Sequence, residues 1–130
     1  MPKRLKVSEA ATLRGQFRRS KYGAIRTTVD GLTFDSKAEA RRYSELKLCQ
    51  QARTIYELKL QPKLSIEING TKVCNVILDF SYQLAPVLRW AELPIYEDVK
   101  GRDNALSKLK RKLVEAQYGI KVKLIRYGRG

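Results

Sequence analysis

A chain of 130 residues with 43% hydrophobic content has the size of one ordinary domain and enough apolar material for a core between two packed layers. Its 27 Lys and Arg against 13 Asp and Glu leave a net charge of +14, which points to a polyanionic partner, nucleic acid before a membrane surface. The lack of histidine argues against His-based triads and zinc clusters, and with neither an apolar run of roughly 18 residues nor a secretory signal a cytoplasmic protein is expected.

The charge is unevenly spread. Residues 1–26 carry eight Lys/Arg against one Glu and residues 100–130 carry ten against two acids, while residues 27–99 carry nine against ten. An acid-bearing middle is thus flanked by two phosphate-binding ends. The first end, residues 1–22, holds Lys3, Arg4, Lys6, Arg14, Arg18, Arg19 and Lys21 with few large apolar residues, and is read as a basic arm ahead of a single domain over 23–130. Two readings stay open for it: an arm that orders on DNA through residues such as Arg18, Arg19 and Lys21, or a solvated tail that only adds non-specific attraction. Cys49 and Cys74, far apart and inside apolar patterns, suit reduced core positions better than a disulfide or a metal site.

From Ala24 to Phe34 the pattern predicts a small hairpin turning at Asp30-Gly31. A helix is expected over 36–52, started by Asp35 or Ser36, with Tyr43, Leu46 and Cys49 on its apolar stripe. Glu39 falls on the same stripe, where a carboxylate has a functional use. Ser36-x-x-Glu39 also fits a capping box, in which the Glu merely bonds backbone at the helix start. Strands follow over Glu57–Leu60, Lys63–Ile68 and Thr71–Phe80, with Pro62 interrupting the first pair and Asn69-Gly70 making a tight turn. The run Val76-Ile77-Leu78-Asp79-Phe80 is apolar on both faces, as a central strand is, and places an acid at its end. A buried acid is costly alone, so Asp79 should be paired, hydrogen-bonded or bound to metal. Residues Ala85 to Leu93 read as a loop or an extra strand, with Trp90 a core residue before a base-stacking one.

The chemistry is placed at Pro94 to Gly101. Period-two alternation puts Tyr96, Asp98 and Lys100 on one strand face and Ile95, Glu97 and Val99 on the other. A carboxylate and an ammonium pointing the same way can hold a metal ion and steer a water beside it; they can equally form a plain surface ion pair. Asp35-Ser36-Lys37, Glu45-Leu46-Lys47 and Glu57-Leu58-Lys59 share the spacing, so context singles out Asp98-Val99-Lys100. After Gly101, Asp103 or Asn104 caps a helix to about Tyr118, with Leu106, Leu109 and Leu113 as its apolar stripe and Gly119 as its stop. Lys108, Lys110, Arg111 and Lys112 cover its other faces and are expected to contact phosphates. A final strand, Ile120 to Ile125, makes a parallel crossover the natural topology.

Glu on a first helix, Asp after a central strand, Asp-x-Lys on the next strand, then a basic helix and a further strand: this order resembles the PD-(D/E)XK nuclease superfamily. Within it, Lys21-Tyr22, Phe34-Asp35-Ser36-Lys37-x-Glu39-Ala40, Leu60-Gln61-Pro62, Asp79-Phe80 and Glu97-Asp98-Val99-Lys100-Gly101 are similar to small phage-type nuclease-like proteins filed as a domain of unknown function. One departure is Leu78, where the superfamily's name expects a proline before the acid. The resemblance implies an α/β, restriction-endonuclease-like fold, with a central mixed sheet flanked by helices. It also implies that Asp79, Asp98 and the carbonyl of Val99 hold catalytic Mg²⁺ or Mn²⁺, that Glu39 adds a ligand to a metal or its water, and that Lys100 orients or activates the attacking water. Gln61 and the basic helix would face DNA. The activity implied is a metal-dependent, structure-selective DNA endonuclease leaving 5′-phosphates, a Holliday junction resolvase acting on branched DNA as a homodimer, in the host cytoplasm if phage-encoded. The alternatives are a less selective nicking or single-strand nuclease, and a catalytically silent DNA- or RNA-binding protein.

Overall fold

The computed structural model describes residues 25–88 and 93–127; the basic arm with Arg18, Arg19 and Lys21, and also Trp90, lie outside the described residues. In chain order the elements are β1 (Thr27–Val29), β2 (Leu32–Phe34), α1 (Lys37–Gln51), β3 (Ile55–Leu60), β4 (Lys63–Ile68), β5 (Thr71–Ile77), β6 (Phe80–Leu84), a 3-10 turn (Pro86–Leu88), β7 (Ile95–Val99), α2 (Ala105–Tyr118) and β8 (Val122–Ile125). The result is an α/β architecture whose central sheet, in the order β3-β6-β7-β8, is mixed and flanked by helices. Its first three strands are antiparallel neighbours and β8 runs parallel to β7, with Tyr96 opposite Val122 and Asp98 opposite Leu124. No helix among the described residues is long and apolar enough to cross a membrane.

Two hairpins follow from their turn residues. Asp30-Gly31 joins β1 to β2 and Asn69-Gly70 joins β4 to β5, and all four residues have positive φ, the conformation of the two-residue turns that match strand twist. Glycine adopts it without a Cβ clash, and Asn or Asp tolerates it.

The core divides in two at the sheet. On one face Ala40, Tyr43 and Leu46 of α1 pack with Phe34, Ile55, Phe80, Tyr82 and Val99. On the other, Val114 of α2 is fully buried among Leu64, Ile66, Val76, Leu78 and Val122, with Tyr96 packed alongside. Strand β7 feeds both clusters because alternate side chains leave it in opposite directions.

The run Val76 to Phe80, expected as one central strand, is instead a bend between two. Val76 and Leu78 belong to the α2-side cluster and Phe80 to the α1-side cluster, so the chain passes from one core to the other at Asp79. Ile77, the apolar residue on the other side of the run, enters neither core and is 58% exposed. The facing chain bends with it: the Gln61 N–H donates to the Asp79 carbonyl at 2.9 Å and the Leu78 N–H to the Pro62 carbonyl at 3.0 Å. Gln61 takes the left-handed conformation (φ 53°) at this corner. Strands β3 and β4 therefore form one long arm, and β5 and β6 the other, of a ribbon folded over at Pro62 and Asp79.

Of the stripe expected on α2 only Leu113 packs against the core, because the inward side is rotated. Leu106 and Leu109 are exposed (59% and 52%), while Ser107, Lys110, Arg111 and Val114, at helical spacing i, i+3, i+4 and i+7, form the inward side. Asn104 caps the helix by accepting from the Ser107 N–H at 2.8 Å, and Gly119 closes it in the left-handed conformation. The helix is held at its other end by Gln117, whose side chain accepts from the Glu67 N–H at 2.9 Å and donates to the Ser65 carbonyl at 2.8 Å, supplying the outer edge of β4 with a strand-like partner.

Candidate active site

The bend at Asp79 brings three elements to one point. Its backbone N–H donates to the Glu97 carbonyl of β7 at 3.1 Å, and its carboxylate Oδ2 accepts the Val99 N–H at 2.6 Å. The end of β7 is therefore fixed to the bend, and Asp79 from the bend and Asp98 from the strand come to neighbouring positions. Glu39 joins them from the first turn of α1, its carboxyl group near enough to Asp79 to raise the Asp79 pKa. Burial pushes the Asp79 carboxyl far above the usual carboxylate range, and the neighbouring Glu39 carboxyl and the charge of Asp98 push it further, against a smaller opposite pull from the Val99 N–H.

Glu39 makes the capping contacts its sequence context allowed. Ser36 Oγ accepts the Glu39 N–H at 3.1 Å and Glu39 Oε2 accepts the Asp35 N–H at 2.9 Å, which is capping chemistry. The same side chain meets Asp79. The helix cap thus fixes the position of a carboxylate that also faces Asp79.

Asp98 is 6% exposed and faces cations. Lys100 Nζ lies 3.4 Å and Arg111 Nη1 3.6 Å from its Oδ2. Arg111, whose side chain is only 13% exposed, is gripped in a fork by Asp103 at 2.8 and 2.5 Å, and Arg126 stands 3.8 Å beyond. That fork raises the Arg111 pKa and lowers that of Asp103. Among the described residues no group of three or more Asp, Glu, Cys or His side chains is already gathered around a cation position. Glu39 and Asp79 stand side by side, and Asp98 is turned toward Lys100 and Arg111.

Glu97, the neighbour of Asp98 on the opposite face, is fully buried and serves the scaffold. Arg42 of α1 donates to both of its oxygens, at 2.7 and 2.6 Å, and the Tyr82 hydroxyl donates to Oε2. Arg42 continues to Glu45 at 3.0 Å, which also accepts from the Tyr127 hydroxyl at 2.7 Å. This network ties α1, carrying Glu39, to β7, carrying Asp98.

Of the residues singled out in the sequence, Glu39, Asp79, Asp98, Val99 and Lys100 come together, and Gln61 lies beside them through its pairing with Asp79. Lys110 and Arg111 line a recess next to Asp98 and Lys100, whereas Lys108 and Lys112 are exposed away from it. Sequence reasoning missed the role of Asp103 in holding Arg111 and the inward side of α2. The inward spacing of Ser107, Lys110, Arg111 and Val114 is the signal that was outweighed by three leucines.

Residues 19–128 match the family described as a protein of unknown function (DUF1064), and the chain belongs to that family. No curated protein and no solved structure matches it.

Proposed function

We propose that the chain is a metal-dependent, structure-selective DNA endonuclease of the PD-(D/E)XK type, in its most specific form a Holliday junction resolvase that works as a homodimer on branched DNA. The observation that carries this reading is the meeting of Glu39 from a helix, Asp79 from a bend and Asp98 with Lys100 from a strand end, in a chain whose net charge is +14. Structural acids are normally neutralised by a dedicated cation, as Glu97 is by Arg42. Asp79 instead faces two other acids, an arrangement that a fold keeps at a cost and that functional sites use.

The donor set fits a hard dication by its chemistry: Asp79, Asp98, Glu39 and the Val99 carbonyl offer only oxygen, the preference of Mg²⁺ and Mn²⁺. Such an ion supplies charge neutralisation at a phosphodiester and a more acidic water. The chain's own residues do the rest. The Asp79 to Val99 hydrogen bond orients the strand end, Asp98 would take part in holding the ion, and Lys100 would position the attacking water and offset charge developing on the phosphoryl oxygens. The net positive charge draws the polyanion in.

The deciding experiment incubates the parent and Asp98→Ala with branched and linear DNA in Mg²⁺ or Mn²⁺. Cutting by the parent that ends in 5′-phosphates and is lost in Asp98→Ala supports the reading. No cutting of any DNA by the parent leaves a binding protein, and equal cutting of all substrates leaves a less selective nuclease.

A further inference from the structure

A recess of about 230 Å³ opens between the end of β5 and the inward side of α2, walled by Asn75, Ile77, Ser107, Lys110 and Arg111 and continuous with Asp98 and Lys100. Its floor is the buried pair Val76 and Leu78. Lys100, Lys110 and Arg111 stand against Asp98 in the lining and Asp103 behind Arg111, which leaves a positive excess carried by Lys110. Lys110 has no ion-pair partner among the described residues. Arg111 is the opposite case: the Asp103 fork fixes its plane yet uses only part of its five N–H donors, so the remainder are held in a set direction.

We infer that this recess binds a second phosphodiester of the strand being cut, with Lys110 and Arg111 on its non-bridging oxygens and Asp103 acting as a positioning residue that aims the guanidinium. Ser107 and Asn75 add a hydroxyl and an amide at the rim. The assignment of the strand rests on the nuclease reading above, because Asp98 and Lys100 form one wall of the recess. It gives α2 a purpose for its polar inward side, which a helix only packing on a sheet would not need. It also divides the basic helix into two populations: Lys110 and Arg111 bind at a defined place, while Lys108 and Lys112 contribute only diffuse attraction.

The test reads binding without cleavage: a short fluorescein-labelled DNA single strand titrated in EDTA buffer over a range of salt. Lys110→Ala should lower the log-log salt slope by about 0.7, the value for one phosphate contact on a single strand. Lys47→Ala, the same charge change on α1 at the opposite face of the sheet, should lower it by less than half of that. Asp103→Asn is the sharper variant, since it removes a negative charge and general electrostatics alone would tighten binding. Loss of the fork should weaken it roughly threefold or more, within the range of a charge-assisted hydrogen bond. Arg111→Lys, which keeps the charge without the fork, should weaken it as well and covers the case in which Asp103→Asn does not fold, as judged by thermal melting. Equal slopes for Lys110→Ala and Lys47→Ala, or unchanged or tighter binding by a folded Asp103→Asn, overturns the subsite. Failure of the nuclease reading shows separately, as a parent protein that binds but never cuts in Mg²⁺ or Mn²⁺.

Discussion

Asp79 Oδ2 accepts the Val99 N–H at 2.6 Å while the same carboxyl group stands beside that of Glu39, so one acid both pins the end of β7 and faces another acid. The pinning requires only an acceptor. The charge is what the fold has difficulty holding.

Replacing Asp79 by Asn should therefore stabilise the metal-free protein at neutral pH while abolishing cutting. The folded-state pKa of Asp79 is raised above its unfolded value, so its favourable contribution is full below the ordinary carboxylate pKa of about 3.9 and is lost as pH rises through neutrality. The amide keeps an acceptor for Val99 and removes that loss. Thermal melts in EDTA should show Asp79→Asn above the parent by at least about 3 °C at pH 7.5, the shift that roughly 1 kcal/mol gives a domain of this size, with the gap narrowing toward pH 4. A lower melting temperature for the variant across this range would mean that the carboxylate is a stabilising element.

Glu39→Gln separates cap from chemistry. Its amide oxygen can still accept the Asp35 N–H, and Ser36 still caps the helix, so unfolding free energy should change by less than about 1 kcal/mol. Cleavage should fall by at least about a hundredfold, as expected when a charged catalytic group is made neutral. Full activity would reduce Glu39 to a cap.

The buried pair of Arg42 and Glu97 should behave in the opposite way to Asp79. Arg42→Ala strands a fully buried carboxylate, a loss of about 3–5 kcal/mol, whereas Arg41→Ala, at an exposed neighbour, should cost under about 1 kcal/mol. Urea unfolding of the two variants measures the difference. Comparable losses would show that the α1 to β7 tie is not carried by this pair.

What could be read in the sequence was whatever local spacing decides. The Asn69-Gly70 turn, the limits of β4, the Asn104 cap and the shared face of Asp98 and Lys100 depend on neighbours one to four residues away, and all are present in the structure. The partner of Glu97 is 55 residues distant and carries no local mark. The bend at Asp79 was hidden because Val76, Leu78 and Phe80 keep an unbroken alternation although they enter two different cores, and the exposed Ile77 looked like a buried partner on the other side. Its only trace was Pro62 in the facing chain. On α2, three leucines outweighed a polar inward side, since hydrophobic spacing cannot show that a helix borders a charged recess.

The last prediction concerns the substrate. On the proposed nuclease reading a chain of this net charge would grip DNA mainly through phosphates, and because such contacts carry no base information its selectivity would come from the shape that the strands present. A four-way junction has two equivalent strands related by a two-fold axis, and resolving it needs two nicks within the lifetime of one complex. A homodimer supplies two sites with that symmetry. Light scattering should therefore give twice the mass of the chain, and a panel of junction, flap, single strand and duplex in Mg²⁺ should show paired symmetric nicks on the junction at least about tenfold faster than on linear duplex of the same sequence, a difference of about 1.4 kcal/mol in transition-state binding. A monomer that cuts all four alike would discard the resolvase assignment and keep the nuclease, because in the proposed site the carboxylates and Lys100 would account for one nick without a second subunit.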